Sequence, residues 1–291
     1  MPEAERGAGP AASPQAAAGT AGTVTVGSFD FTESHVLGEI YAQALERHGI
    51  RVERAFDLSS REIVEPALEE GLIDLVPEYL GTALEFLNKG SGEASADPQA
   101  THARLKRAFA ERGVTTLAFA PAQNQNRIAV TRETARRYGL AAVSDLTPIA
   151  DDLVFGGPPE CPERPYCMRG LTRVYGLMFG DFKPLDAGGP LTMAALDGGE
   201  VDVGLLFSND TAAAEKGIVF LDDDRKLQPA ENIVPVVRSD VVAEHGEDFV
   251  RGIDRVTEHL STQELVPLIR AAESGESVHD IVRAWLDRAG L

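Results

Sequence analysis

Long apolar runs are missing from this sequence of 291 residues: nowhere do about 18 apolar residues follow one another, so no helix read from it spans a bilayer. Basic residues are scarce as well. Lysine and arginine total 27 against 46 aspartates and glutamates, a net charge of −19. Phosphate backbones need clustered basic side chains, so nucleic acid is excluded as a partner, and docking of the folded surface on anionic lipid is disfavoured. The signatures of catalysis are absent too: no G-x-S-x-G, no H-E-x-x-H, no Walker A, and no G-x-G-x-x-G after a strand. The six histidines (35, 48, 102, 245, 259 and 279) mostly fall on helix surfaces or ends, and His35, near the first loop, reads as a first-turn surface residue. No catalytic residue, cofactor or metal is therefore expected. No apolar signal-peptide core precedes the rest, and residues 1–22, rich in Ala, Gly and Pro, read as a disordered tether, with a loose tail on a cytosolic protein as the alternative.

Cysteine is nearly absent. The two that exist, Cys161 and Cys167 in PECPERPYC, have no His close by and lack the C-x-x-C spacing of a redox pair. A short structural disulfide fits best and implies an oxidising compartment; two unpaired thiols are the alternative.

What the sequence does contain is alternation. The strand VTVGS runs into GSFDFTES, and a helix comes next over about Ser34 to His48, with Val36, Leu37, Ile40, Tyr41, Ala44 and Leu45 at a 3.6-residue period. IRVERAF is a second strand. A helix over 59–71 has Ser59 or Ser60 as N-cap, IDLVPEY is a buried strand, and GTALEFLNKG opens another helix. HARLKRAFAERG is amphipathic, and VTTLAFAPA is a strand. NRIAVT, DDLVFGGPPE and the second half continue the pattern: LTRVYGLMFG is helical, TMAALDGGEVDVGLLFSND is helix, strand and turn, and several helices fill 241–288. Such β-α order predicts an α/β protein with mostly parallel sheets flanked by helices. Two segments echo one another: REIVEPALEEGLIDLVPEY and LTMAALDGGEVDVGLLFSND each give a helix, Gly and an acid, then a strand with Asp near its start. Each places a ligand-facing tip at the carboxyl end of a strand, where open α/β sheets bind ligands.

GSFDFTES (27–34), SSREIVEPALEEGLIDLVPEYLGTAL (59–84), GLMFGDF (176–182) and ALDGGEVDVGLLFSND (195–210) together resemble the substrate-binding proteins of osmoprotectant ABC importers, receptors for glycine betaine, choline, carnitine and similar quaternary amines. The likeness covers about residues 23–291. It implies a two-lobed, type II periplasmic-binding-protein-like fold with a hinge of two crossing strands. Lobe one would be 23–125 plus 234–291 and lobe two 126–233, with crossings at NQNRIAV and ENIVPVV. It also implies hinge closure over a small-molecule ligand, docking on a membrane permease, and no catalysis. The expected protein is a monomer outside the cytoplasm, either periplasmic or a lipoprotein tethered to the outer face of the membrane, with its signal absent from this sequence.

A quaternary ammonium has no N–H to donate and is held by ring faces, each worth roughly 0.5–2 kcal/mol. A carboxylate wants backbone N–H groups, arginine or a helix N-terminus. On that chemistry Ser28 and Thr32 line the cleft, Phe29 or Phe31 forms a wall, and Tyr79 in PEYLGT supplies a ring; Phe31 has core packing as its alternative and Thr82 helix capping. From the other lobe, Phe155 and Phe207 lie at strand ends, with Ser208, Asn209 and Asp210 beyond the latter; Asn209 could equally be a plain turn. Tyr175 is expected in the core and Trp285 in the packing of the last helix. Arg61 and Arg127 are candidate carboxylate partners. The sequence departs from the resembled family in having few Tyr and Trp rings, and in placing Asn124, Gln125 and Asn126 at the entry to lobe two, where an aromatic often stands. Those amides favour a ligand with hydrogen-bonding groups, so a more polar amino-acid derivative such as ergothioneine is an alternative cargo. A sensor module cut from a fused permease is a further one.

Overall fold

A computed structural model of the chain describes residues 22–210, 213 and 216–291. The tether expected over 1–22 lies, except for Gly22, outside the described residues. In chain order the strands are β1 Val24–Gly27, β2 Val52–Ala55, β3 Leu75–Tyr79, β4 Val114–Thr116, β5 Asn126–Thr131, β6 Val154–Gly157, β7 Asp181–Pro184, β8 Val203–Phe207, β9 Ile218–Phe220 and β10 Ile233–Arg238. The helices are α1 Thr32–Arg47, α2 Arg61–Glu69, α3 Leu80–Leu87, α4 Pro98–Ala110, α5 Arg132–Tyr138, α6 Met168–Tyr175, α7 Pro190–Asp197, α8 Ser239–His245, α9 Glu247–His259, α10 Thr262–Glu273 and α11 Val278–Ala289.

Two sheets of five strands form the two lobes, in the orders β2-β1-β3-β10-β4 and β7-β6-β8-β5-β9. Each is mostly parallel, as expected, with four strands running one way and one strand running against them. β1 runs parallel to β2 and β3, and β6 runs parallel to β7 and β8. β10 is antiparallel to β3 and β4, and β5 is antiparallel to β8 and β9. The physical reason is the crossing. β5 and β10 are the strands by which the chain enters each lobe from the other, and they run against the local βαβ units. Gln123 and Asn232 form an antiparallel bridge between the two crossings.

The predicted periodicity buries what it should. Val36, Leu37, Ile40 and Tyr41 of α1 are fully buried, because α9, α10 and α11 cover the face that the first sheet does not. Gly49, at φ +77, turns the chain after α1. Trp285 packs in the terminal helix as expected, its indole N–H donating to Glu264 at 2.8 Å. Tyr175 is core in the second lobe. Several predicted elements are shorter than their patterns. VTTLAFAPA leaves the ladder after Thr116, although Leu117 and Ala120 still donate to the Pro235 and Ile233 carbonyls. The helix expected over 171–180 begins at Met168 and stops at Tyr175, because Gly176 takes the left-handed φ of 72°.

The echo in the sequence is an echo in space. Asp74 ahead of β3 accepts the Thr25 N–H of β1 at 2.8 Å, and Asp202 ahead of β8 accepts the Val154 N–H of β6 at 2.9 Å. Each aspartate clamps a central strand to its parallel neighbour and so fixes the level at which the strand tips end.

Candidate ligand-binding site

A cavity of about 350 Å³ opens where the tips of the two sheets face each other. Its first wall begins at the β1–α1 loop. Ser28 is buried beneath that loop; its hydroxyl donates to the Phe29 carbonyl and accepts the Asp57 N–H, while the Phe29 N–H donates to the Ser34 hydroxyl. These bonds hold the loop and aim its two rings. Phe29 and Phe31 stack at 5.9 Å, Phe31 meets Tyr79 of β3 at 6.1 Å, and Phe31 meets Phe207 of β8 at 5.3 Å. Phe31 is thus the middle of a four-ring group that bridges the lobes. It is not a core residue, since it remains half-buried on the cavity wall.

Behind the rings stands a buried charge network. Arg61 makes a two-pronged pair with Glu78, Nε to Oε1 at 2.6 Å and Nη2 to Oε2 at 2.8 Å, and Nη2 also donates to the Thr82 hydroxyl at 3.2 Å. Its guanidinium lies 5.2 Å from the Phe29 centroid. Burial pushes Glu78 up, but Arg61 outweighs it and holds the carboxyl below its usual range. Burial, joined by the Glu78 charge, pushes Glu65 up. Nε and Nη2 of Arg61 are thus engaged by Glu78 and Thr82, and the residue lines the cavity. Thr82 does not cap α3, which starts two residues earlier; its hydroxyl donates to Glu231 at 3.3 Å. Arg127 lies away from the cavity, over the Phe220 ring.

Glu33, in the first turn of α1, sits where the lobes meet. It accepts from the Tyr79 hydroxyl at 2.6 Å, from the Asn124 amide at 3.1 Å and from the Asn209 amide. Burial pushes its carboxyl up to about 7 against the pull of Tyr79 and Asn124, and the Tyr79 phenol is pushed up by burial and by Glu33. Burial likewise raises Glu231, at the head of β10, to about 8.

The second wall carries fewer rings. Cys161 and Cys167 are joined in a disulfide with Cα atoms 5.3 Å apart, and both line the cavity with Tyr166. Arg164 reaches back across the cleft to Glu62 at 2.8 Å and lies 5.5 Å from the Phe86 centroid. Asn126 lines the cavity and donates to the Tyr166 carbonyl.

Of the residues expected from the sequence, Phe29, Phe31, Tyr79 and Phe207 are brought together, and Arg61, Thr82, Asn124 and Asn126 share their cavity. Thr32 and Asn209 line a small neighbouring recess with Glu33. Besides Arg127, three expected contacts lie elsewhere. Ser28 braces the loop from below, and Ser208 ties the crossing by exchanging bonds with the Gln125 backbone. Phe155 is fully buried in the second core against Phe179 and Phe182. Sequence reasoning missed Glu33, Glu231, Phe86 and Arg164. The acidic first turn of α1 and the acid in ENIVPVV were the available signals for the first two.

A family model for the substrate binding domain of ABC-type glycine betaine transport systems matches residues 22–288. A glycine-betaine-binding protein of Pseudomonas aeruginosa is 30% identical over 82% of this chain and 78% of its own length. An ergothioneine transport permease/ergothioneine binding protein of Helicobacter pylori is 25% identical over 89% of this chain and 46% of its own length. A solved glycine betaine/carnitine/choline ABC transporter structure, 25% identical, superposes with a TM-score of 0.69 over 91% of this chain and 98% of that one. Two mixed sheets facing across a ring-lined cavity, joined by two crossing strands, are thus matched along nearly the whole described length, and the chain belongs to the family of substrate-binding domains of ABC-type glycine betaine transport systems.

Proposed function

We propose that this chain is the extracytoplasmic receptor of an ABC importer and that it takes a small trimethylammonium compound into the cavity between its lobes. One observation carries this reading: Phe31, Tyr79 and Phe207 converge from both lobes on one cavity, with Phe31 touching the other two. Ring faces attract a cation that has no hydrogen to donate. A carboxylate-rich surround favours the same sign of ligand, and Phe29 is already partnered by Arg61, which leaves the other three rings to the ligand. In this scheme lobe one is 23–125 plus 234–291 and lobe two is 126–233. Ligand stabilises the closed arrangement by tying Phe207 and Asn209 to Phe31 and Glu33, and the closed monomer is what a permease recognises. Attachment to the membrane through a lipidated N-terminus belongs to the same proposal. Among the described residues no helix is long and apolar enough to cross a membrane.

The test is a thermal-shift screen followed by calorimetry with glycine betaine, choline, carnitine and ergothioneine. A bound ligand raises the melting temperature by mass action. Tyr79→Ala and Phe207→Ala are each expected to weaken the best binder by about 1–3 kcal/mol while leaving the protein folded. Unchanged affinity in both variants would remove the rings from the site.

A further inference from the structure

Glu33 joins three parts of the molecule at one carboxyl. It stands in the first turn of α1, is 3% exposed, and accepts from the Tyr79 hydroxyl at the tip of β3, from the Asn124 amide and from the Asn209 amide. Tyr79 belongs to the first sheet, and Asn209 follows β8 of the second. Asn124 sits one residue from the Gln123–Asn232 bridge that links the two crossings. A hinge motion that parts the sheets therefore draws Asn209 off the carboxyl and lets water take its place.

Closing the cleft works against a charge at this point. The recess beside Glu33 also holds Asp210, just beyond Asn209, and Glu273, at the end of α10. Closure brings the first of these acids to the other two and takes water from the recess, and both changes disfavour an ionised Glu33. The basic groups nearby, Arg270 of α10 and Lys216, act on Glu273. Behind Tyr79, the charges of Glu78 and Arg61 act on its phenol in opposite senses. Burial raises Glu33 to about 7 from an ordinary 4.5, and burial and the Asp210 charge raise Glu273. An open cleft returns water to Glu33 and its affinity for a proton falls. The closed arrangement thus keeps a proton that the open one releases; its advantage is complete in acid and is lost as pH rises through 7. The protonated acid keeps its partners, because the Tyr79 hydroxyl accepts as well as donates and the Asn209 amide carries an oxygen beside its nitrogen.

We propose that Glu33 is a positioning residue for closure, a tie between the lobes that shuts the empty cleft when it carries a proton and lets it open when it is ionised. This adds a regulation to the site and rests on the receptor reading above for what the cleft admits.

The distance between spin labels on the two lobes of the full chain, measured by double electron–electron resonance without ligand, tests it. Leu72→Cys and Leu191→Cys place the labels at exposed positions on either side, and the native cysteines are occupied by their disulfide. Between pH 5 and pH 8 the closed-to-open ratio should fall by about ten-fold or more, since each unit of proton-affinity difference between the two arrangements is worth ten-fold. Glu33→Gln, which has the shape of the protonated acid, should stay near its pH 5 distance at both values. Glu231, the other carboxyl raised into this range, bonds through its side chain to Gly81 and Thr82 of α3, so its titration does not replace that of Glu33. Asn209→Ala leaves Glu33 in place and cuts the bond from the second lobe, and should lower the closed fraction at pH 5 towards its value at pH 8. Melting curves confirm that each variant folds. A wild-type distance that ignores pH overturns the proposal, as does a pH response that survives in Glu33→Gln or a closed fraction that Asn209→Ala leaves unchanged. Each of these results leaves the receptor reading standing, because no ligand enters the measurement. If the distance follows pH as expected and none of the compounds in the screen binds, the receptor reading fails and the tie stands.

Discussion

In the first lobe α2 leads to β3, Asp74 clamps β3 to β1, and the tips of those strands carry Phe29, Phe31 and Tyr79. In the second lobe α7 leads to β8, Asp202 clamps β8 to β6, and the tips carry one cavity ring, Phe207. The strand orders correspond position for position, with the crossing strand fourth in each sheet. The buried ion pair of Arg61 with Glu78, and the acids Glu33 and Glu231, also belong to the first side of the cleft. Duplicated scaffolds therefore do not carry duplicated chemistry: one lobe presents a prepared surface, and the other supplies a ring, a disulfide-bound loop and an arginine that reach over it. Gly188 shows how closely Phe207 is fitted, since a Cβ there would stand 2.7 Å from its ring.

That asymmetry can be broken experimentally, beginning with charge. Arg61→Ala leaves Glu78 buried and unpaired, and urea unfolding should show a loss of about 3–5 kcal/mol. Arg164→Ala, at the opposite wall, frees a Glu62 whose side chain is 47% exposed, and should cost under about 1 kcal/mol. Equal losses would mean that the lobes share the load. The next largest effect is a pH dependence. Glu33 titrates at about 7 in the native protein against 4.5 ordinarily. Between those values the native state keeps a proton that the unfolded chain has released, so stability falls as pH rises, by about 3 kcal/mol in total, and Glu33 adds no further change above 7. Urea midpoints should be higher at pH 5 than at pH 8, with Glu231 contributing in the same direction and Glu33→Gln flattening the slope. Smaller again is the disulfide. Paired Cys161→Ser and Cys167→Ser changes open a loop of sequence separation 6, and should lower stability by about 2 kcal/mol while leaving the order of ligand affinities intact. A reordering would make the loop a determinant of specificity.

The sequence made much of this legible because strand tips are set by local patterns. An aromatic at the end of a buried run reaches the cleft in Phe207 and Tyr79, and the helix–Gly–acid–strand echo corresponds to the two clamped strands. The same rule failed at Phe155, which lies inside β6 and turns its ring to Phe179 in the core; a one-residue change of phase along a strand reverses the face. Glu33 was hidden because an acid in the first turn of a helix already has a reason to be there, as a complement to the helix dipole. Only the fold brings Tyr79, Asn124 and Asn209 around it. The pairing of Arg61 with Glu78 was hidden because Glu78 stands 17 residues away on another element. Glu231 meets Gly81 across 150 residues of chain, a separation that no local pattern reports.

The position of β10 has a consequence for how the molecule is made. The strands of the second sheet succeed one another without interruption from Asn126 to Phe220, whereas the first sheet has its fourth strand at Ile233–Arg238, between β3 and β4. As the chain leaves the ribosome, β3 and β4 must wait with facing edges unfilled until the whole intervening lobe has emerged. The lobe encoded in the middle can complete its sheet first, and the one encoded at the start finishes last, an exception to the usual order in which the N-terminal unit folds before its successor.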